Sequence, residues 1–135
     1  MLSPQERLDK LEKVLEELED LSERMPIIVE GARDAVALRR LGITKNVMPL
    51  NKGVSVFAFC ERLSRTAAEV VILTDWDRRG GQLARMLKEG MSANGVRTND
   101  RIRTEVVILA KKEVKDIESL PTFLESLRRA VSGRL

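Results

Sequence analysis

Apolar residues in the first 24 positions recur at the spacing of a helix. They follow one another at intervals of three, four and three residues: Leu8, Leu11, Leu15 and Leu18. This spacing predicts a helix with one narrow apolar stripe, and Ser3-Pro4-Gln5-Glu6 supplies an N-cap serine, an early proline and a capping-box glutamate. The stripe fits a coiled-coil seam, a homodimer contact through this N-terminal helix, or a face packed on the same chain. We expect this helix at residues 1–25 and one domain at residues 26–135.

Beyond residue 25 short apolar runs alternate with amphipathic stretches. The runs predict strands at Ile27-Ile28-Val29, Val47-Met48-Pro49-Leu50, Val70-Val71-Ile72-Leu73 and Val106-Val107-Ile108-Leu109. The second is the weaker one, and its proline suggests an edge position or a strand end. Helical patterns follow at residues 32–41, 54–66, 81–94 and 120–131, and the polar residues 96–101 are expected to form a loop. This alternation predicts an α/β domain with about four mainly parallel strands flanked by helices.

Three acidic residues follow two of the predicted strands. Glu30 ends the first strand, and Asp75 and Asp77 end the third. Ligands of parallel sheets bind at the carboxyl ends of the strands, so we expect these acids to lie together. Oxygen ligands suit Mg²⁺, with Mn²⁺ as a substitute, and predict a metal site. Two alternatives stay open: the aspartates could cap helices instead, and Glu30 could act as general acid or base rather than as a ligand.

The composition excludes several other chemistries. The chain of 135 residues has no histidine, no tyrosine and one cysteine, Cys60. It therefore has no Cys/His zinc site, no histidine-activated nucleophile and no tyrosyl-phosphate intermediate. The chain also lacks a Gly-x-x-x-x-Gly-Lys phosphate-binding loop, which argues against a small-molecule phosphotransferase. Carboxylate chemistry remains.

The charge is distributed unevenly. The net charge is +3, but residues 1–24 contain eight acids and four bases, so residues 25–135 carry a net charge of +7. A basic body favours RNA or DNA as a partner, although a merely solvated surface explains the charge equally well. The candidate phosphate-binding residues are Arg33, Lys52, Arg78 and Arg79. No apolar stretch approaches the roughly 20 residues of a membrane span, so we expect no membrane contact and a cytoplasmic location.

The few aromatic residues have structural roles in this interpretation. Phe57 and Phe59 fall in an apolar helical stretch with Cys60, where core packing is expected. Trp76 stands between the two aspartates, where it could stack on a base, although anchoring the loop against the domain is the commoner use.

Two stretches resemble the motifs of the Toprim domain. A hydrophobic strand ending in Glu-Gly, with an aspartate nearby, corresponds to residues 27–34, and a strand ending in Asp-x-Asp-x-x-Gly corresponds to residues 71–80. The resemblance covers about residues 26–118. Toprim domains occur in type IA and type II topoisomerases, bacterial primases, OLD-family nucleases and 5S ribosomal RNA maturases, and in small stand-alone proteins of archaea and bacteria, which this chain resembles most.

The resemblance implies a Toprim fold, Mg²⁺ held by Glu30, Asp75 and Asp77, and a phosphodiester substrate. The chain departs from two family activities, because it lacks the tyrosine of topoisomerases and the zinc module of primases. What remains is a nuclease or RNA-processing activity similar to that of the 5S ribosomal RNA maturases. The alternative is a non-catalytic, metal-dependent nucleic-acid-binding module or a subunit of a larger complex.

Overall fold

The computed structural model describes residues 1–50 and 53–133, and within them the chain forms six helices and four strands. The helices are α1 (Pro4–Ser22), α2 (Ala32–Arg40), α3 (Val56–Ser64), α4 (Arg78–Ala93), α5 (Arg101–Ala110) and α6 (Leu120–Ser132). The strands are β1 (Ile27–Val29), β2 (Val47–Pro49), β3 (Glu69–Ile72) and β4 (Arg97–Asn99). None of the helices in the described part of the chain is long and apolar enough to cross a bilayer.

The four strands form one parallel sheet in the order β2-β1-β3-β4. The chain first adds β2 on one side of β1 and then crosses to add β3 on the other side. The strand order therefore reverses between β1 and β3, and such a switch point opens a crevice at the carboxyl ends of the two strands. The predicted α/β class with a parallel sheet and an N-terminal helix is confirmed, and Glu30 and Asp75 follow the two strands that flank the switch point.

Alternating side chains of the strands feed two separate cores. Ile27 and Val29 of β1 face one layer, to which α1, α2, α5 and α6 contribute, whereas Ile28 faces the opposite layer with α3 and α4. Successive residues of a strand point to opposite sides of the sheet, so a strand covered on both faces is apolar throughout. This accounts for the continuous apolar run in β1.

The apolar stripe of α1 is buried within the chain. Leu11 and Leu18 are fully buried, and α1 packs against α5 and α6. Arg7 extends this contact, because its Nη2 donates to the carbonyl oxygen of Leu109 at 2.6 Å. Of the three arrangements considered for the stripe, the structure contains the intramolecular one. A homodimer through α1 stays a prediction and would have to use the other faces of the helix, and the division of the chain at residue 25 also stays a prediction.

The prediction of a fourth strand at residues 106–109 is wrong. These residues belong to α5, and β4 instead lies at Arg97–Asn99, inside the segment expected to be a loop. In α5 the residues Ile102, Val106 and Leu109 are buried on one face, whereas Ile108 is 68% exposed. A four-residue apolar run does not distinguish strand from helix, and packing of this face on α1 determines the outcome. β4 escaped prediction because it is a polar edge strand.

The prediction for the apolar segment of α3 is confirmed for two residues and wrong for one. Phe59 and Cys60 are buried in the core between α3 and α4, as expected. Phe57, however, is 62% exposed. It lies two positions from Phe59, so a helix turns the two side chains about 200° apart, and only one of them can face the sheet.

Replacing Leu11 by alanine is expected to lower the free energy of unfolding by about 2–5 kcal/mol, because it leaves a cavity in the core that α1 shares with α5 and α6. The matched control is Ile108→Ala, which removes an exposed aliphatic side chain and should change the free energy by no more than about 0.5 kcal/mol. Urea unfolding followed by circular dichroism measures both. Equal effects of the two substitutions would contradict the packing of α1 described above.

Candidate metal centre

Glu30 joins the ends of β1 and β3. It follows β1 directly, and its Oε2 accepts a hydrogen bond of 2.8 Å from the backbone N–H of Asp75. The side chain is partly buried. Two acids that are 45 positions apart in the sequence therefore lie side by side, as the switch-point topology predicts.

Asp75 is held from the opposite side by the loop that precedes α6. Its Oδ1 accepts a hydrogen bond of 3.0 Å from the backbone N–H of Ile117. The neighbouring Trp76 fastens the same loop, because its indole Nε1 donates to the carbonyl oxygen of Val114 at 2.7 Å and its backbone N–H donates to that of Lys115 at 3.1 Å. Trp76 thus anchors the loop, which is the commoner of the two roles considered for it.

Asp77 caps helix α4. Its Oδ1 accepts a hydrogen bond of 2.7 Å from the backbone N–H of Gly80, and its backbone is extended, as an N-cap residue requires. The capping alternative is therefore realised at Asp77. A cap uses only one carboxylate oxygen, and the exposed side chain has a second oxygen that this bond does not occupy.

Gly80 is the residue on which the tight loop between β3 and α4 depends. A Cβ atom placed on Gly80 would lie 1.8 Å from the carbonyl oxygen of Asp75, which no side chain can tolerate. The hydroxyl of Thr74 closes the same loop by donating to the carbonyl oxygen of Gly80 at 2.8 Å. The glycine of the Asp-x-Asp-x-x-Gly motif is thus required for close approach of the backbone, whereas nothing lies within 4 Å of a Cβ placed on Gly81.

Burial, with a smaller contribution from neighbouring acids, raises the pKa values of Glu30 and Asp75. Burial raises the pKa of Glu30, and the charges of Asp75, Asp77 and Asp34 add to the effect against the opposing hydrogen bond from Asp75. The pKa of Asp75 is raised by burial and by the charges of Asp116 and Asp77. A positive charge at this edge of the sheet would relieve the repulsion.

Asp34 and Asp116 belong to this acidic cluster, although sequence reasoning did not single them out. Asp34 is buried at the start of α2, where its Oδ2 accepts from the backbone N–H of Gly31 at 3.0 Å. Burial and the nearby charge of Asp75 raise its pKa to about 6. Asp34 stands in the first Toprim-like motif, which was a usable signal, whereas Asp116 lies in a loop with no sequence signal.

Arg103 was also missed. Its Nε donates to the carbonyl oxygen of Thr74 at 2.9 Å, and its Nη2 donates to that of Asp75 at 2.8 Å. Arg103 lies on α5, just before the residues where the strand prediction failed, so the sequence offered no indication that this arginine contacts the backbone beside Asp75.

The predicted phosphate-binding residues that the structure describes lie in the first turns of α2 and α4, which are together called the rim of the site. Arg33 is in the first turn of α2, where its side chain is 86% exposed and 4.0 Å from a carboxylate oxygen of Glu118. Arg78 and Arg79 are exposed in the first turn of α4, directly after Asp77. Lys52 lies outside the residues that the structure describes, so its prediction stays open.

The donor set fits a hard divalent cation in its chemistry. The three predicted ligands offer carboxylate oxygens without nitrogen or sulphur, which is the set that Mg²⁺ prefers. Their side chains are turned toward backbone N–H donors, and within residues 1–50 and 53–133 no three acidic, histidine or cysteine side chains converge closely enough to hold one ion as they stand. Each of the three hydrogen bonds uses a single oxygen, so a second oxygen of each carboxylate is not engaged by them.

Comparison with known proteins places this geometry in a family. The family model of the Toprim domain matches residues 26–109. The chain is 43% identical to the UPF0292 protein of Methanosarcina acetivorans over 90% of this chain and 85% of that protein, and 37% identical to the UPF0292 protein of Methanocaldococcus jannaschii over 88% and 93%. A solved structure of a protein from Aquifex aeolicus superposes with a TM-score of 0.68 at 29% identity, covering 79% of this chain and 94% of that one.

Replacing Gly80 by alanine is expected to lower the free energy of unfolding by at least about 1–3 kcal/mol, the usual cost of overpacking, because the added methyl group collides with the Asp75 carbonyl. Gly81→Ala is the control in the same helical turn. It meets no neighbour and should leave stability unchanged or raise it by up to about 1 kcal/mol, since alanine favours helix over glycine. Thermal and urea unfolding of both variants test this, and a harmless Gly80→Ala would refute the close approach.

Asp34→Asn should change how stability depends on pH. The Asp34 pKa of about 6 lies above its unfolded value of 3.8, so this carboxyl favours folding when protonated. Its contribution is therefore present below about pH 4 and is lost as the pH rises through about 6. Asparagine keeps an oxygen for the Gly31 N–H but cannot ionise.

The variant should thus gain stability relative to the wild type between pH 4 and pH 7.5, in buffer without divalent cations. Urea unfolding at both pH values measures the difference. A constant difference between the two proteins would show that Asp34 does not titrate in this window.

Proposed function

Because the chain belongs to the Toprim domain family and to the UPF0292 proteins within it, we propose that it performs Mg²⁺-dependent phosphodiester chemistry on RNA or DNA, of the nuclease or RNA-processing kind. Toprim membership indicates a metal-binding function related to nucleic acids. The observation that carries the finer proposal is the contact between the Glu30 carboxylate and the Asp75 backbone at the β1–β3 switch point, with both carboxyl pKa values raised.

In this proposal Glu30, Asp75 and Asp77 hold Mg²⁺, for which Mn²⁺ can substitute. The bound cation would supply a Lewis acid that polarises the substrate phosphate and a water molecule. Asp75 and Asp77 keep one oxygen on the backbone N–H groups of Ile117 and Gly80, so those bonds would fix the carboxylates and leave their second oxygens for the cation. Outer hydrogen bonds of this kind orient metal ligands in proteins.

The position of Glu30 is compatible with both roles considered for it, that of a metal ligand and that of a general acid or base. Its Oε2 is occupied by the Asp75 N–H, so Oε1 is the atom that would contact the cation or exchange a proton with an attacking water or leaving oxygen. A carboxyl with a raised pKa is a better proton acceptor at neutral pH than an ordinary glutamate.

The arginines at the rim are proposed to hold neighbouring phosphates. Arg33, Arg78 and Arg79 lie in the first turns of α2 and α4, where the helix N-termini add positive potential. The contact of Arg33 with Glu118 is long and exposed, and such pairs contribute little, so the side chain can turn to a phosphate. Lys52 would extend this surface.

A second candidate function is a module that binds nucleic acid through the metal without cutting it, alone or in a larger complex. The observation that favours it is the arrangement of the acids in the described residues, where no three converge on one point. A binding module needs only to bridge a phosphate through the cation, whereas hydrolysis needs reacting groups held in register.

The test is uptake of Mg²⁺ by calorimetry together with cleavage of structured RNA and of single- and double-stranded DNA, each with Mg²⁺ or Mn²⁺. Asp75→Asn is expected to reduce cleavage by more than roughly 100-fold, beyond the loss typical of an outer hydrogen-bond partner. Asparagine still accepts from the Ile117 N–H, so the loop should persist. Asp20→Asn, an exposed aspartate on α1, is the matched control and should leave cleavage unchanged.

The outcomes separate the candidates. Metal-dependent binding without cleavage would replace the enzyme by the binding module. Absence of divalent-cation uptake by the wild type would refute both.

A further inference from the structure

We infer that Arg103 is a positioning residue for the metal centre, because it fixes both peptide groups that flank Asp75. The inference rests on the proposed function, since it concerns how the Asp75 carboxylate is presented to the cation. It is carried by four hydrogen bonds on these two peptide groups: Arg103 donates to both carbonyl oxygens, and the two N–H groups donate to Glu30 and Lys115.

The first peptide group lies between Thr74 and Asp75. Its carbonyl oxygen accepts from Arg103 Nε at 2.9 Å, and its N–H donates to Glu30 Oε2 at 2.8 Å. In a trans peptide the C=O and N–H point in opposite directions. This plane is therefore held between Arg103 on one side and Glu30 on the other.

The second peptide group lies between Asp75 and Trp76. Its carbonyl oxygen accepts from Arg103 Nη2 at 2.8 Å, and its N–H donates to the carbonyl oxygen of Lys115 at 3.1 Å. The φ and ψ angles of Asp75 describe how these two planes are rotated about the bonds to its Cα atom. Fixing both therefore fixes the direction of its Cα–Cβ bond, and the hydrogen bond from the Ile117 N–H to Oδ1 then restrains the rotation of the carboxylate.

Only an arginine can hold both carbonyl oxygens in this way. The guanidinium presents its N–H donors in a rigid planar fork, whereas a lysine ammonium is a single point on a flexible stem. Arg103 is also partly buried, and hydrogen bonds from a charged donor are stronger than neutral ones. Through the first peptide group it further polarises the N–H that Glu30 accepts, so it acts on two of the three proposed ligands.

Arg103→Lys is the test variant, and Arg101→Lys is its matched control. Arg101 lies two residues away on α5, where it pairs with Glu17 and Glu105 and not with the Asp75 loop. Both variants keep the charge and the helix. Arg103→Gln serves as a second variant, since it retains one donor group without the charge.

Two quantities are measured. The first is Mn²⁺ affinity, by paramagnetic resonance of free Mn²⁺. The second is acrylamide quenching of tryptophan fluorescence in the metal-free protein, which reports on this loop alone because Trp76 is the one tryptophan of the chain. Urea unfolding accompanies both measurements as the check on the global fold.

Arg103→Lys is expected to weaken Mn²⁺ binding by roughly 10- to 100-fold, the usual loss for an outer hydrogen-bond partner of a metal ligand. It should also make Trp76 more accessible to quencher, with Arg101→Lys at wild-type values in both measurements. Arg103→Gln should show the same pattern. The unfolding midpoints of the test and control variants should agree.

Wild-type affinity and quenching in Arg103→Lys, beside a wild type that binds Mn²⁺, would overturn this inference alone. Loss of affinity in Arg103→Lys and Arg103→Gln that merely follows global unfolding would also overturn it, because the role would then be structural. A wild type that takes up no Mn²⁺ would overturn the proposed function, and with it the role of Arg103 in serving a metal centre.

Discussion

Like charges held together at the ends of β1 and β3 are the constraint on which the rest of the site depends. Parallel pairing of these neighbouring strands brings Glu30 beside Asp75, and partial burial strengthens their repulsion. Each acid accepts a hydrogen bond from a backbone N–H: Glu30 from Asp75, Asp75 from Ile117, and Asp77 from Gly80. These donors hold the acids in place but carry no net charge, so they do not cancel the repulsion.

The helices on one face of the sheet do more than cover the core. α5 supplies Arg103, and the segment between α5 and α6 supplies the backbone groups that hold Asp75 and Trp76. α1 packs on both of these helices, so its burial stabilises the layer from which the loop is held. Helix α1 therefore contributes to the site indirectly, although Glu30, Asp75 and Asp77 all lie outside it.

The sequence predicted those features that depend on local pattern. The run before Glu30 and the Asp-x-Asp motif indicated two strand ends, and parallel topology then required the acids to meet. It could not predict features that depend on tertiary contacts. The apolar run at residues 106–109 is helical because one face packs on α1. Since these residues were predicted to form a strand, the orientation of Arg103 could not be predicted either. The contact of Ile117 with Asp75 joins residues 42 positions apart and has no local signal.

The raised pKa values connect ionisation of the acids with the stability of the chain and with cation binding at the proposed site. Burial, together with the neighbouring charges, disfavours the charged forms of Glu30, Asp75 and Asp34 in the folded chain, so ionisation of these carboxyls lowers its stability. A ligand that binds only the folded state raises the free energy of unfolding. Uptake of a divalent cation should thus be linked both to proton release and to a tighter loop. In the proposed site these hydrogen bonds would hold the acids in position, and a bound cation would relieve the repulsion that remains between them.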